Sequence, residues 1–214
     1  MGIKERKARE KASRRSAILE AAKSLVGKSG VEGMSMNQLA DLTELNKATL
    51  YTYFGNKADL IDTIVNEGLL RLEAEFDRHD THRASGLKMM LNLIQATFEF
   101  YRKHPAYFLA MNHQEHRGPG ARATPSSAQG DEIAVRIFDR IRQALEQGVA
   151  DGSIRRGIDV DSFLALYFAH THGVMHLVSA KPDVYVDVLG LAPEDVERSA
   201  LELIQYFLTR KGKP

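Results

Sequence analysis

The sequence predicts an all-α protein of about nine helices. Three observations carry this: apolar residues recur at i, i+3, i+4 and i+7 through most of the 214 residues, no stretch alternates polar and apolar convincingly, and capping residues, glycines and prolines punctuate the periodic runs. Charge divides the chain. Up to Lys57 there are 11 Lys and Arg against 6 Asp and Glu, a net +5, and the whole chain is +1, so the remainder carries 1 − 5 = −4. A basic head of residues 1–60 on an acidic body of residues 61–214 suits a polyanionic partner for the head, and the plain alternative is a solvated basic terminus.

Composition excludes several classes. There is no cysteine, hence no disulfide, thiolate zinc site or cysteine nucleophile, which suits a reducing cytoplasm. No apolar leader follows Met1, so no signal peptide is expected. Phe163 to Val178 is the most apolar segment, but His170, His172, Gly173 and His176 interrupt it and it falls short of a membrane span, so it reads as a buried helix in a cytoplasmic protein without a membrane partner.

Residues 1 to about 12 carry little apolar content and are expected to stay unordered until something negative binds them. From Arg14, the stripe Ile18, Ala21, Ala22, Leu25 and Val26 predicts a helix that Gly27 and Gly30 end. Ser35 with Gln38 has the capping-box spacing, so a short helix starts at Met36 with Met36, Leu39 and Ala40 as its apolar face. Asn46 can cap a second short helix whose apolar positions are Ala48, Leu50 and Phe54. Asn56 with Asp59 caps a long helix through Leu60, Ile64, Leu69 and Leu72. Helices follow over Leu87 to Tyr101, stopped by Pro105, and over Tyr107 to Met111. Gly118 to Gly130 is a loop by composition, and Ile133 to Val149 is helical. Phe163 to Val178, capped by Asp159 or Asp161, and Val196 to Leu208, after Pro193 at N1, complete the set, with Val184 to Leu189 read as loop.

Two short helices joined by a tight turn make a helix-turn-helix pattern, although periodicity alone allows a plain helical hairpin. The surrounding residues go further. Arg15-x-x-Ile18-Leu19-x-Ala21-Ala22, then Gly30, Met34-Ser35, Leu39-Ala40, and above all Thr49-Leu50-Tyr51-x-Tyr53-Phe54-x-Asn56-Lys57-x-x-Leu60 resemble the amino-terminal domain of the TetR/AcrR-type bacterial transcriptional regulators. The resemblance covers roughly the first 60 residues. Gly148-x-x-Asp151-Gly152-x-Ile154-Arg155, followed by a helix with Gly173 in its middle, is also similar. One position departs: Glu44 stands where the family usually has a glycine in the turn. Either Glu44 adopts the left-handed conformation, at about 1 kcal/mol or more, or the turn is built differently.

The resemblance implies a three-helix DNA-binding head followed by an all-helical ligand-binding and dimerisation domain. The helix from Asn46 to Phe54 then enters the major groove of a double-stranded DNA operator. There Lys47 can donate to guanine, Ala48 can sit on a thymine methyl, Asn37 and Tyr51 can reach a base or a phosphate, and Ser35 and Asn46 stand at the helix starts beside the DNA. Thr49, Thr52, Tyr53 and Lys57 read as phosphate contacts, with packing the alternative for Tyr53. Few base contacts per head call for a homodimer on a palindromic operator, and the resemblance implies pairing through the last two helices. Their faces fit this, with Val196, Ala200, Leu203 and Phe207 on one side and Leu201, Ile204 and Leu208 on another.

By the same resemblance the body holds an unknown small-molecule effector that releases the protein from DNA. Tyr101, Tyr107, Phe108, Met111, Phe138, Tyr167, Phe168, His172 and Met175 are the candidate lining, with ordinary core packing the alternative for each. No cofactor is implied. His172 with His176 at i,i+4 and His113 with His116 at i,i+3 have metal-ligand spacing, so a metal-responsive regulator, or histidines holding an anion or lining a seam, is a second reading. A helical enzyme is disfavoured because no nucleophile elbow, phosphate-binding loop or dinucleotide fingerprint occurs. A scaffold without DNA binding is disfavoured by the basic head.

Overall fold

Capping and apolar periodicity place the helices where the chain can bury one face of each. The computed structural model describes residues 2–79, 84–116, 124–180 and 188–210. Among them are nine helices and no strand: α1 (Ile3–Gly33), α2 (Met36–Thr43), α3 (Lys47–Tyr53), α4 (Lys57–His79), α5 (Gly86–Lys103), α6 (Pro105–His116), α7 (Pro125–Asp151), α8 (Val160–Ala180) and α9 (Pro193–Thr209). They form two compact units. One takes the chain up to Leu69 together with His104 to Glu132, and the other takes Leu70 to Lys103 together with Ile133 to the carboxyl end.

In the first unit, Ile18, Ala22 and Val26 of α1, Leu39 of α2, Leu50 of α3, Phe54 and Leu60, Ile61 and Ile64 of α4 are essentially sealed from solvent. Each large side chain so buried contributes on the order of 1.5–3 kcal/mol, and together they fix the mutual roll of the four helices. Two expectations are corrected in α1. The helix starts at Ile3, because Glu5 caps the Gly2 amide at 3.0 Å, Arg6 and Glu10 pair at i,i+4, and Ala, Lys, Arg and Glu are strong helix formers. Nor does it stop at Gly27, which stays helical. Gly30, at φ 69° and ψ 175°, does break the helical run as expected, and Val31 to Gly33 follow beyond the kink.

The expected loop at Gly118 to Gly130 is also corrected where it can be seen. Residues 118–123 lie outside the described residues, but α7 starts at Pro125. Thr124 caps that start through the Ser127 amide at 3.0 Å, and a polar cluster holds it against α4. Asp62, fully buried, accepts from the Thr124 hydroxyl at 2.6 Å and from Gln114 Nε2 at 3.1 Å, Ser126 Oγ donates to Asp59 at 2.7 Å, and Asn66 Nδ2 donates to the Ser126 carbonyl at 2.7 Å. Loop-like composition was overridden by partners distant in sequence. Lys23 is tied in the same way to Glu67 and the Tyr107 hydroxyl, both at 3.1 Å; burial pulls its pKa down, and hydrogen bonds with Glu20, Tyr107 and Glu67 more than restore it.

In the second unit, α5 begins against the end of α7 backbone to backbone. A Cβ on Gly86 would lie 2.0 Å from the Gly148 amide nitrogen, so neither helix could come this close with a larger residue there. Asp151 accepts from the Gly86 amide at 2.8 Å and Ser153 from the Leu87 amide at 3.1 Å, which caps α5 and explains the run from Gly148 to Ile154. Asp159, not Asp161, caps α8 through the Ser162 amide at 2.8 Å. Val184 to 187 lie outside the described residues, and Val188 and Leu189 are helical.

The faces of α9 need redrawing. Glu197, Ala200, Ile204 and Leu208 are buried, while Leu203, Tyr206 and Phe207 face out, so Ala200 parts from Leu203 and Phe207. Burial pushes the Glu197 carboxyl pKa up, opposed by Arg102 with a nitrogen 3.7 Å away. A carboxyl whose folded pKa is raised favours the fold when protonated, and that benefit fades as pH rises from its unfolded to its folded pKa. Glu197→Gln is therefore expected to raise the melting temperature at pH 7 and to lose that advantage below the ordinary carboxylate range, as thermal melts at several pH values would report.

Candidate nucleic-acid interface

The helix-turn-helix is held by local bonds that its residue types dictate. Ser35 Oγ accepts from the Gln38 amide at 3.2 Å and Gln38 Oε1 from the Ser35 amide at 2.9 Å, the reciprocal box the spacing predicts. Asn46 Oδ1 accepts from the Thr49 amide at 2.8 Å and starts α3. Between them Glu44 takes the first of its two options: its φ of 54° and ψ of 33° are left-handed. The Leu45 amide donates back to the Ala40 carbonyl at 3.0 Å, which closes the helix end as a glycine there would. Glu44→Gly is accordingly expected to stabilise the protein by about 0.5–1 kcal/mol, relief of the left-handed cost less the entropy of a new glycine, as read by urea denaturation.

Leu50 is completely buried and sets the roll of α3. Lys47, Ala48, Tyr51 and Thr52 consequently face solvent, with Tyr51 47% exposed, and Asn37 of α2 is exposed as well. Lys47 and Tyr51, four residues apart, stand one above the other on α3. The helix is about 10 Å long and suits a major groove about 12 Å wide. Thr49 and Tyr53 are half-buried.

The other predicted residues have local work. Ser35 and Asn46 cap, and the Thr52 hydroxyl donates to the Thr49 carbonyl at 2.6 Å. Lys57 Nζ donates to the Met34 carbonyl at 2.6 Å, fastening the start of α4 to the segment before α2. Its ammonium keeps two further donors. Sequence reasoning missed one support: the Arg15 guanidinium lies 4.6 Å from the centre of the Phe54 ring and 3.4 Å from Thr63 Oγ1. The spacing of Arg15 to Ile18, one turn from the core stripe, was its signal.

This head matches the model for bacterial regulatory proteins of the tetR family over residues 18–64, and residues 87–179 match the model for a tetracyclin repressor-like carboxyl-terminal domain. Between them the two models take in well over half of the chain. The chain belongs to the tetR family. Among characterised relatives of this TetR-family regulator, the transcriptional repressor KstR2 of Rhodococcus jostii is 27% identical over 155 residues, 71% of this chain and 72% of that one. The structure of KstR2 from Mycobacterium tuberculosis, a ketosteroid transcriptional regulator, is similar with a TM-score of 0.73 at 19% identity, covering 92% of this chain and 96% of that one. AibR in complex with isovaleryl coenzyme A and operator DNA is similar with a TM-score of 0.69 at 22% identity, covering 89% and 97%.

The candidate effector residues of this TetR-family chain are divided between the two units. Tyr107, Phe108 and Met111 belong to the first unit, with Tyr107 bonded to Glu67 and Lys23. In the second unit, Phe138, Phe168 and His172 do come together, with ring centres 5.8 and 5.2 Å apart along the series. Tyr101, Tyr167 and Met175 are buried there. Burial pushes the Tyr167 phenol up. A small cavity of about 60 Å³ in this unit is lined by other residues, His79, Met89, Leu93, Arg140 and Gln143.

The metal reading is not supported. Among the described residues no three His, Asp or Glu gather as a metal would require. His113 Nδ1 lies 3.0 Å from Glu32 in the first unit, whereas His172 and His176 belong to the second, and the His116 side chain lies outside the described residues. Spacing within a helix aligned each pair, but it does not supply a third ligand. No described helix is long and apolar enough to cross a membrane.

Proposed function

We propose that this TetR-family regulator is a homodimeric repressor whose two α3 helices read the two halves of a palindromic operator. The observation that carries the reading is the exposed row of Lys47, Ala48, Tyr51 and Thr52, on a helix whose roll Leu50 fixes and whose start Asn46 caps. Lys47 and Tyr51 make base contacts, Asn37 adds a base or phosphate contact, and Thr49, Thr52, Tyr53 and Lys57 lie along the phosphates, where Lys57 uses the donors that Met34 leaves. Ser35 and Asn46 act through the helix starts they cap.

The dimer forms through α8 and α9. Leu166 is 60% exposed, and Ala165, Ala169 and Gly173 share its face, with open space where a Gly173 Cβ would stand. On α9, Leu203, Tyr206 and Phe207 are exposed. A flat face of small residues beside large apolar ones is what a symmetric helix pair covers. The effector is a small molecule bound in the second unit, near the cluster of Phe138, Phe168 and His172. AibR, with its bound isovaleryl coenzyme A, makes an acyl coenzyme A thioester the first class to try. Sequencing the genomic fragments retained by the purified protein should yield one enriched inverted repeat; retention without any repeat would refute the operator reading. Adding isovaleryl coenzyme A to that complex tests the effector class, and unchanged retention would exclude that thioester.

A further inference from the structure

From Ile3 to Ala17, α1 runs as a helix exposed on every side, before Ile18 and Leu19 enter the core. A helix that buries nothing gains little from packing, so its surface chemistry needs an explanation. With about 100° per residue, Lys4, Lys7, Lys11 and Arg14 fall within an arc of about 80°, and the buried Ile18 lies inside the same arc. The row therefore extends, along one line of the helix, the side of α1 that further on packs into the helix-turn-helix core. Glu5 and Glu10 fall outside the arc and are occupied, Glu5 by the Gly2 amide and Glu10 by Arg6. Among the described residues, none of the four cations in the row is held in an ion pair. A groove of about 790 Å³ separates this part of α1, at Arg9, Ser13 and Arg14, from the α2–α3 turn at Leu42 to Leu45, so the extension flanks the motif directly.

Four like charges at i,i+3 and i,i+4 repel one another in water. They span about 15 Å of helix axis, and a polyanion that interleaves its own charges with theirs turns that repulsion into attraction. We propose that the amino-terminal extension of α1 is a second DNA-contacting element, which lays Lys4, Lys7, Lys11 and Arg14 along duplex phosphates flanking those held at α3. The inference rests on the DNA-binding reading above. It adds sequence-independent grip and leaves the choice of operator to α3.

Salt dependence measures how many phosphates a protein neutralises, and no operator need be known. Fluorescence anisotropy of the full chain with a labelled 40-base-pair duplex of mixed sequence, titrated across salt, gives a slope of log affinity against log salt. The combined Lys4→Ala, Lys7→Ala and Lys11→Ala variant keeps helix-forming residues and is expected to flatten that slope by about 0.9 for each phosphate no longer neutralised, nearly 3 units for each head engaged. Lysine-to-arginine replacement at the same three positions should retain the slope. A control with the same loss of charge elsewhere, Lys88→Ala, Lys103→Ala and Arg156→Ala, should leave it unchanged. A triple-alanine slope equal to that of the unaltered protein, or a control that flattens equally, overturns the extension as a DNA-contacting element while leaving the head intact. If the unaltered protein binds no duplex at any salt, the DNA-binding reading fails and this inference with it.

Discussion

Tyr51→Ala is expected to weaken operator binding by on the order of 100-fold or more while leaving the fold untouched. A side chain in the groove contributes about 1–3 kcal/mol, and a two-headed complex loses it twice. Tyr51 is 47% exposed and its removal opens no cavity, so circular dichroism and the melting temperature should match those of the parent. Fluorescence anisotropy on the recovered inverted repeat measures the loss, and an unchanged affinity would remove Tyr51 from the interface. Lys57→Ala is a poorer probe. Its Nζ fastens α4 to the Met34 carbonyl, so weaker binding could follow from a displaced helix as readily as from the missing ammonium at a phosphate.

The second large effect concerns assembly. Leu166→Glu combined with Leu203→Glu should leave a folded monomer, because both side chains are more than half exposed in the isolated chain and support no core. In a dimer each would place an unpaired carboxylate in an apolar seam, at a cost of several kcal/mol per charge. Sedimentation velocity should show the monomer at micromolar concentration, and operator affinity should fall by more than 100-fold because one head engages one half-site. A dimer that persists with both substitutions would place the interface elsewhere.

How far the chain could be read in advance depended on the range of the interactions. Ser35 with Gln38, Asn46 with Thr49 and Asn56 with Asp59 were legible because a cap and its amide lie three residues apart, and each bond is where the spacing puts it. Glu44 was legible as a conflict, since the turn demands a left-handed residue whatever occupies it. The extension of α1 is hidden by its low apolar content, since its order comes from strong helix propensity and not from burial. Pro125 to Gly130 was misjudged because Thr-Pro-Ser-Ser reads as a turn until Asp59, Asp62 and Asn66, some 60 positions earlier, bind it. The candidate effector residues are a related case: periodicity marks Tyr107 and Tyr167 equally as inward-facing but not the unit each belongs to.

The sequence by itself determined the helical class and the capped helix-turn-helix, because 3.6-residue periodicity and local caps act within a few residues of the chain. Periodicity counted Ala48 with the apolar positions Leu50 and Phe54, and it was the packing of Leu50 that turned Ala48 outward beside Lys47, Tyr51 and Thr52. Only the tertiary structure decided that Lys57 is anchored to Met34, that Ala200 turns inward while Leu203 turns outward, and that the histidine pairs belong to separate units. Those outcomes depend on which surfaces meet across tens of residues, and burial and hydrogen bonding settle that between elements whose separate patterns allow several partners.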